Sequence, residues 1–134
     1  MFEKLKPNTI SIIRYFLSIT FLAQGIRALS RQPDFFRLVS ESPIFDFSFT
    51  PGFFTPALFL TLVGIFDITI AILLFKGIAL RTAAIHGFIW ICIVITNSLV
   101  IGRILETVDS VGYLGGLLAI IIWNRQEMKQ EEMK

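Results

Sequence analysis

Apolar residues fall into four long runs that are separated by shorter polar stretches. The runs cover about residues 9–29, 57–75, 83–101 and 108–123. At about 1.5 Å per residue, the second run crosses roughly 28 Å, which is about the thickness of the hydrocarbon core of a bilayer. Backbone groups in lipid must find hydrogen-bond partners within the protein, so runs of this kind are predicted to be helices. The pattern predicts an all-α protein, a single domain over residues 1–134 with a bundle of four transmembrane helices.

The first connection, residues 30–56, is the longest. It opens on QPDFFRLVSES, which predicts a short amphipathic surface helix because proline and an acid stand where a helix begins. The remainder, PIFDFSFTPGFFTP, contains five phenylalanines among three prolines and one glycine. It is interpreted as an aromatic anchor at the membrane interface, or as a cover or partner-docking surface over the outward end of the bundle. The second connection, KGIALRT, is short, so spans two and three are expected to form an antiparallel hairpin.

Positive charges predict how the bundle is oriented. With both termini on one side, that side carries seven lysines and arginines and the opposite side carries four, leaving out Arg14 inside the first run. The positive-inside rule then places both termini in the cytoplasm. Lys4 and Lys6 before an apolar run resemble a signal peptide, but Arg14 interrupts that run and no A-x-A-like cleavage pattern follows. The first segment is therefore predicted to be a retained span.

Composition excludes several classes of function. Hydrophobic residues make up 54% of the chain and charged residues 16%, compared with about 25% charged in soluble domains. A net charge of +2 is too small to indicate nucleic-acid binding. The single cysteine, Cys92, excludes an internal disulfide, a CxxC redox pair and a cysteine metal cluster. A single histidine, His86, cannot ligate haem on both sides, and the chain has no Gly-rich nucleotide loop and no predicted metal site.

An acid in the middle of the second run is the most informative residue. A charged Asp67 at that depth costs on the order of 2.5 to 3.5 kcal/mol, so it needs a partner, a water or its own proton. His86, Trp90 and Asn97 fall within one arc of the third span, a pattern explained either by hydrogen bonds between helices or by a ligand site. When the depths of the polar residues in the bilayer are compared between spans, Gln24 and Asn97 are favoured as the first neighbours of Asp67.

The first span has two polar arcs, one containing Arg14 and the other containing Gln24 and Arg27. Arg14 either joins the buried polar groups or extends to the cytoplasmic interface, since its side chain leans toward the amino end of the helix. The predicted polar centre consists of Asp67, His86, Asn97, Gln24, Arg14 and Arg27, with Trp90 as a possible ligand wall.

Small residues predict where helices approach closely in lipid. The predicted packing positions are Gly25, Gly64, Gly112, Gly115 and Gly116. In the fourth span, Asp109 or Ser110 is expected to cap the amino end of the helix.

Three segments resemble the DoxX family of small four-span membrane proteins: IIRYFLSITFLAQG, VGIFDITIAILLFKGIALRTAAI and GYLGGLLAIII. The matching positions are Arg14, Gly25, Asp67, Arg81, Gly115 and Gly116. The family takes its name from a membrane subunit of a thiosulfate:quinone oxidoreductase. The resemblance implies a four-helix membrane fold, a bacterial or archaeal cytoplasmic membrane, and a role associated with quinone or redox chemistry.

Two functions of different classes follow. In the first, the chain is a membrane subunit that binds a quinone headgroup or relays protons through the polar centre. Electrons would come from a partner, because the chain has no self-contained catalytic motif. In the alternative, it is a non-catalytic structural or assembly subunit of a larger membrane complex. A small-solute or lipid carrier ranks third because it needs a homo-oligomer. The expected partners are the lipid bilayer and other membrane subunits or further copies of the chain, with no nucleic acid.

Overall fold

The computed structural model describes residues 7–45, 52 and 54–133. It contains the helices α1 (Pro7–Leu29), α2 (Pro33–Ser40), α3 (Pro56–Lys76), α4 (Leu80–Val100) and α5 (Ile104–Glu132). Four of these, α1, α3, α4 and α5, are long and apolar enough to cross a membrane, and the described ranges contain no strand. The predicted all-helical fold with four membrane spans is confirmed. The side of the membrane on which the termini lie remains a prediction.

The helix ends follow from local sequence. The hydroxyl of Thr55 accepts a hydrogen bond from the backbone N–H of Leu58 at 3.3 Å, and Pro56 occupies the first turn of α3. At the other end Gly77 adopts a φ of 73°, which a residue with a side chain rarely adopts. The backbone N–H of Ile78 then reaches back to the carbonyl of Leu73 at 3.1 Å. This turn ends α3 within a few residues of the start of α4.

Two connections test the sequence predictions. The predicted short helix after the first span is present as α2, with proline at its first turn. Most of the phenylalanine-rich stretch that follows, residues 46–51 and 53, lies outside the described residues. The cap predicted at Asp109 or Ser110 is wrong, because α5 begins at Ile104. The helix starts earlier because Gly102, with a φ of 75°, completes the turn directly after α4.

The closest packing joins α1 to α3 and α4 to α5, whereas α3 and α4 contact each other less extensively. Gly25 and Gly64 allow the first pair to approach. A β-carbon added at Gly25 would lie 2.7 Å from Ile68 Cγ1 and 2.9 Å from the Gly64 carbonyl oxygen. Further along the same pair, the hydroxyl of Ser18 donates to the Ala71 carbonyl at 2.7 Å. The predicted contact between spans two and three exists, but α1 is the main neighbour of α3.

The glycines of α5 behave differently from one another. A β-carbon at Gly116 would touch Leu17 at 3.2 Å, whereas Gly112 and Gly115 are exposed and face open space. Of these three predicted packing positions, Gly116 packs against α1 within the bundle, and close packing at Gly112 and Gly115 stays a prediction. Both glycines are exposed because of the rotation of α5, whose buried face contains Leu117 and Ile120 instead.

The bundle has a filled half and a hollow half along its length. The filled half lies toward the α3–α4 turn and holds the larger cluster of buried apolar side chains. Its fully or almost fully buried members include Leu17, Ala71, Leu74, Ala84 and Leu117. Near the opposite end a smaller cluster joins α2 to α1 and α3 through Ala28, Val39, Leu60 and Val63. The cavity that forms the candidate site lies in this second half.

Candidate functional site: a buried polar cavity

A cavity of about 310 Å³ lies among α1, α3, α4 and α5, with α2 beside it. Its size falls at the lower end of the range of about 300 to 1,000 Å³ that ligand sites occupy. All four spans contribute lining residues, so the cavity exists only once the helices have assembled. The lining has three parts: buried polar groups, aromatic walls and a charged rim.

The buried polar groups come from three spans. Asp67 of α3 is 2% exposed, and Asn97 and Ser98 of α4 are fully buried. Gln24 of α1 lines the same cavity and is half-buried. Within the described part of the chain, four atoms of these residues are buried and have no hydrogen-bond partner: Asp67 Oδ1, Asn97 Nδ2, Ser98 Oγ and Gln24 Oε1.

Unsatisfied polar atoms are unusual in protein interiors, where more than about 90% of such groups have a partner. Each costs about 1 to 3 kcal/mol. Four of them at one cavity indicate a place built to receive a polar molecule, whether water or a ligand. The set mixes a hydrogen-bond donor on Asn97 with acceptors on Asp67 and Gln24, so it suits a molecule that both accepts and donates.

Aromatic side chains form the walls. Trp90 of α4 lines the cavity and packs edge-on against Phe66, with ring centroids 6.1 Å apart. Phe45 and Phe59 line it from the α2 side, with centroids 4.8 Å apart, and Tyr113 contributes from α5. These rings provide flat apolar surfaces around the polar groups, the usual construction of a site for a planar organic molecule.

Charged side chains form the rim near the ends of the helices. Three carboxylates, Asp34, Glu106 and Asp109, line the cavity with two guanidinium groups. Arg103 pairs with Glu106 at 3.2 Å. These carboxylates are exposed to solvent, so the rim is expected to attract water to this end of the bundle.

Arg27 ties α1 to the start of α2. Its Nε donates to Gln32 Oε1 at 2.8 Å, and its guanidinium lies 5.6 Å from the ring centre of Phe35. Both Arg27 and Phe35 line the cavity. The arginine therefore holds the covering helix in place from the side of the first span.

Ser42, two residues after α2, contacts α4 at Asn97, a residue of the cavity lining. It is 5% exposed, and its hydroxyl donates to the side-chain oxygen of Asn97. Val39 of α2 is buried against α1 and α3. The segment from α2 to Phe45 thus covers the polar groups and touches one of them directly.

The structure brings together five of the residues predicted from sequence. Asp67, Asn97, Gln24, Arg27 and Trp90 all line the one cavity. Asp67 Oδ1 has no hydrogen-bond partner among the described residues, so the prediction that Gln24 and Asn97 are its first neighbours stays a prediction. The role of the five residues in binding is not decided by this arrangement and belongs to the proposal below.

Two predicted members of the polar centre lie elsewhere. His86 is exposed, and its Nδ1 lies 2.8 Å from the Thr82 carbonyl of its own helix. The buried side of α4 at that level passes through Gly87, and consecutive helical residues point about 100° apart. The inclusion of His86 in the polar centre is corrected accordingly.

Arg14 extends to the other end of the bundle. Its guanidinium donates to the Tyr15 hydroxyl at 3.3 Å and lies against the α3–α4 turn, where a β-carbon on Gly77 would meet it at 2.8 Å. Long cationic side chains in spans reach toward the interface in this way. Of the two alternatives for Arg14, the structure favours extension to the interface, and the placement in the polar centre is corrected.

Several residues that line the cavity, and Ser42 beside it, were missed from sequence. Ser98 adjoins Asn97 in an apolar run, and that adjacency was a usable indication. The sequence contains no such indication for Ser42, because a serine in a long connection is ordinary. Only the path of the chain brings Ser42 over the third span. The rim acids Asp34, Glu106 and Asp109 likewise have no distinctive spacing.

Comparison with known proteins agrees with the fold. The DoxX family model matches residues 9–102, which contain α1 to α4 and the cavity residues of those helices. The helix α5 follows the matched range. No curated protein and no solved structure matches the chain. The match covers well over half of the chain, so this integral membrane protein belongs to the DoxX family.

Proposed function

We propose that the cavity binds the headgroup of a quinone and that the chain acts as a membrane subunit of a quinone-linked redox system. The observation that carries the proposal is the set of four buried polar atoms without partners, among the described residues, on side chains that line one aromatic-walled cavity. A quinone headgroup is a single planar ring with oxygens at opposite edges. Such a ring requires flat apolar walls and polar partners, and the lining supplies both.

The residues can be assigned roles by their hydrogen-bonding capacity. Asn97 Nδ2 is a donor and suits a carbonyl oxygen, whereas Asp67 Oδ1 and Gln24 Oε1 are acceptors and suit a hydroxyl. Trp90 supplies a wall for the ring. A quinone takes up two electrons and two protons when it is reduced. Asp67 is placed to hold or release a proton beside such a ring.

A partner must supply the electrons. The described residues contain no group of three or more His, Cys, Asp or Glu side chains arranged to hold a metal ion. The proposal therefore places the electron donor on another membrane subunit or a peripheral protein, and it gives this chain the binding and proton-exchange roles.

The experiment measures quenching of tryptophan fluorescence by a short-chain benzoquinone in lipid nanodiscs. Trp90 lines the cavity and Trp123, the second tryptophan, does not. Saturable quenching is expected in the wild type and in Trp123→Phe, and it is expected to disappear in Trp90→Phe. Equal, non-saturable quenching in both variants would show that the quinone only dissolves in the lipid.

Matched asparagine variants test the polar contact. Asn97→Leu should weaken binding at least tenfold, which corresponds to the free energy of about one lost hydrogen bond. Asn124→Leu, on α5 and outside the cavity lining, should bind as the wild type does. Unchanged binding in Asn97→Leu would contradict a role of the polar centre in binding the headgroup.

One observation favours the alternative function of an assembly subunit. Gly112 and Gly115 lie on the exposed side of α5 with open space beside them, and small residues allow another helix to approach closely in lipid. Under this alternative, Gly112→Leu should release a copurifying partner or dissociate an oligomer in mild detergent. Its failure to change the size of the purified complex would count against docking at this face.

A further inference from the structure

The hydroxyl of Ser42 has three neighbours, and together they determine its hydrogen bonds. Its oxygen accepts from the backbone N–H of Ile44 at 3.1 Å and from that of Phe45 at 3.4 Å. The third neighbour is Asn97 Oδ1 across the cavity wall. Ser42 is nearly fully buried, and these three groups are its hydrogen-bond partners among the described residues.

A hydroxyl has one hydrogen to donate and two lone pairs that accept. The two backbone N–H groups use both lone pairs of Ser42, which leaves only the hydrogen for Asn97. The amide oxygen of Asn97 must therefore face Ser42. The opposite orientation would place an amide N–H against a hydroxyl oxygen that has no acceptor capacity left.

This orientation fixes what Asn97 offers to the cavity. With its oxygen held by Ser42, the amide nitrogen is turned away from that bond. Asn97 Nδ2 is buried and has no partner among the described residues. Asn97, a residue of the cavity lining, thus has an oriented N–H donor without a partner among the described residues, and its orientation is set by Ser42.

We infer that Ser42 is a positioning residue that determines specificity, because it orients Asn97 so that the cavity selects a ligand with a carbonyl oxygen at that point. This inference rests on the proposed function and makes it sharper. The carbonyl oxygen of the oxidised quinone only accepts, whereas the hydroxyl oxygen of a quinol can accept from Asn97 Nδ2 only when its own hydrogen is turned toward another acceptor. At the Asn97 contact the quinone should therefore gain more binding free energy than the quinol, and Ser42 should be responsible for that difference.

The binding test compares a short-chain benzoquinone with its quinol under anaerobic conditions, by calorimetric titration of the protein in nanodiscs. The wild type is expected to prefer the quinone by about tenfold, the equivalent of one hydrogen bond. Ser42→Ala frees the Asn97 amide to rotate, so the preference should fall to about twofold or less. Ser40→Ala is the matched control, because Ser40 is exposed and, among the described residues, its hydroxyl bonds only to the Arg37 carbonyl, so the preference should remain.

A second measurement needs no ligand. The chain has three asparagines, Asn8, Asn97 and Asn124, so selective ¹⁵N labelling gives a few resolvable side-chain amide signals in an NMR spectrum. In Ser42→Ala the Asn97 signal should shift and broaden or split as the amide samples two orientations. In Ser40→Ala it should stay in place.

The two measurements separate the two proposals. An unchanged Asn97 signal in Ser42→Ala would overturn the inference whether or not a quinone binds. A wild type that binds neither form would overturn the proposed function, while the NMR result would still decide the role of Ser42. If Ser42→Ala does not fold, Ser42→Cys should give the same loss of preference, because a thiol keeps the volume but forms weak hydrogen bonds.

Discussion

Asp67 lies in the proposed site, at a position where it costs stability. The residue is 2% exposed, Oδ1 has no partner in the described chain, and the described residues hold no basic group paired with it. A buried polar group without a partner destabilises a fold by about 1 to 3 kcal/mol. A residue that persists at such a cost is more readily explained by binding than by packing.

Asp67→Leu is expected to leave the protein as stable as the wild type or to stabilise it by about 1 to 3 kcal/mol, because it removes an unsatisfied buried group. The same substitution should abolish quinone binding and proton exchange at the cavity. The measurement is the free energy of unfolding in mixed detergent micelles, beside the nanodisc binding assay.

Thr69→Leu is the control for this substitution, since Thr69 is exposed on the same helix and bonds only to the Ile65 carbonyl. It should change neither stability nor binding appreciably. A marked loss of stability in Asp67→Leu with none in Thr69→Leu would show that the carboxyl has a structural partner in the membrane.

At the scale of elements, the glycines show that the same residue type serves different purposes on different helices. Gly25 and Gly64 are where α1 and α3 meet, with backbone and side-chain atoms less than 3 Å from an added β-carbon. Gly115 on α5 meets nothing within 4 Å. Only the first two are required by the contacts within the chain.

Gly25→Ala is therefore expected to destabilise the protein by about 1 to 3 kcal/mol, because the new methyl group must displace the backbone of α3. Gly115→Ala should be neutral or stabilise it by up to about 1 kcal/mol, since alanine favours helix more than glycine does. Both values come from unfolding in mixed micelles. Equal effects of the two substitutions would contradict the assignment of α1 and α3 as the tight pair.

The short helix α2 depends on packing for its existence. Its eight residues are too few for a stable isolated helix, so the burial of Val39 against α1 and α3 holds it in place. Because this helix carries Ser42 to the cavity, its attachment decides whether the polar groups are covered.

Val39→Ala removes about 1 to 2 kcal/mol of apolar burial from this attachment. Amide hydrogen exchange should become several-fold faster in α2, and it should remain as in the wild type in the middle of α3. Ser40→Ala, on the exposed side of the same helix, should leave both rates unchanged. Faster exchange throughout α3 would instead show that α2 and the bundle unfold together.

At the scale of the whole molecule, the division into a filled half and a hollow half makes the two ends of the bundle different. Buried apolar side chains fill the half near the α3–α4 turn, whereas the polar cavity and its charged rim lie toward α2. With both termini cytoplasmic, as the distribution of positive charge predicts, the cavity lies in the outward half of the membrane.

This orientation can be measured by cysteine labelling in intact cells. In a Cys92→Ser background, Ser30→Cys after α1 should react with a membrane-impermeant maleimide. Gln130→Cys near the end of α5 should react only after the cells are opened. Both positions are exposed, so accessibility is set by the side of the membrane. The reverse pattern would invert the topology and place the cavity on the cytoplasmic side.

The sequence by itself determined the fold class, the four spans and part of the site. Runs of about twenty apolar residues have only one stable solution in lipid, so helices followed from composition and length alone. An acid or an amide inside such a run is conspicuous for the same reason, which is how Asp67, Asn97 and Gln24 were found. The short helix α2 followed from its local pattern of proline, acid and apolar residues.

The tertiary structure decided which faces of those helices turn inward. Periodicity gives the relative angles of residues on one helix, but the rotation of that helix is set by contacts with its neighbours. For this reason His86 points outward, Arg14 reaches the interface, and Gly112 and Gly115 face away from the bundle. Ser42 belongs to the site only because the chain folds back over α4, and no local pattern encodes a contact between residues 55 positions apart.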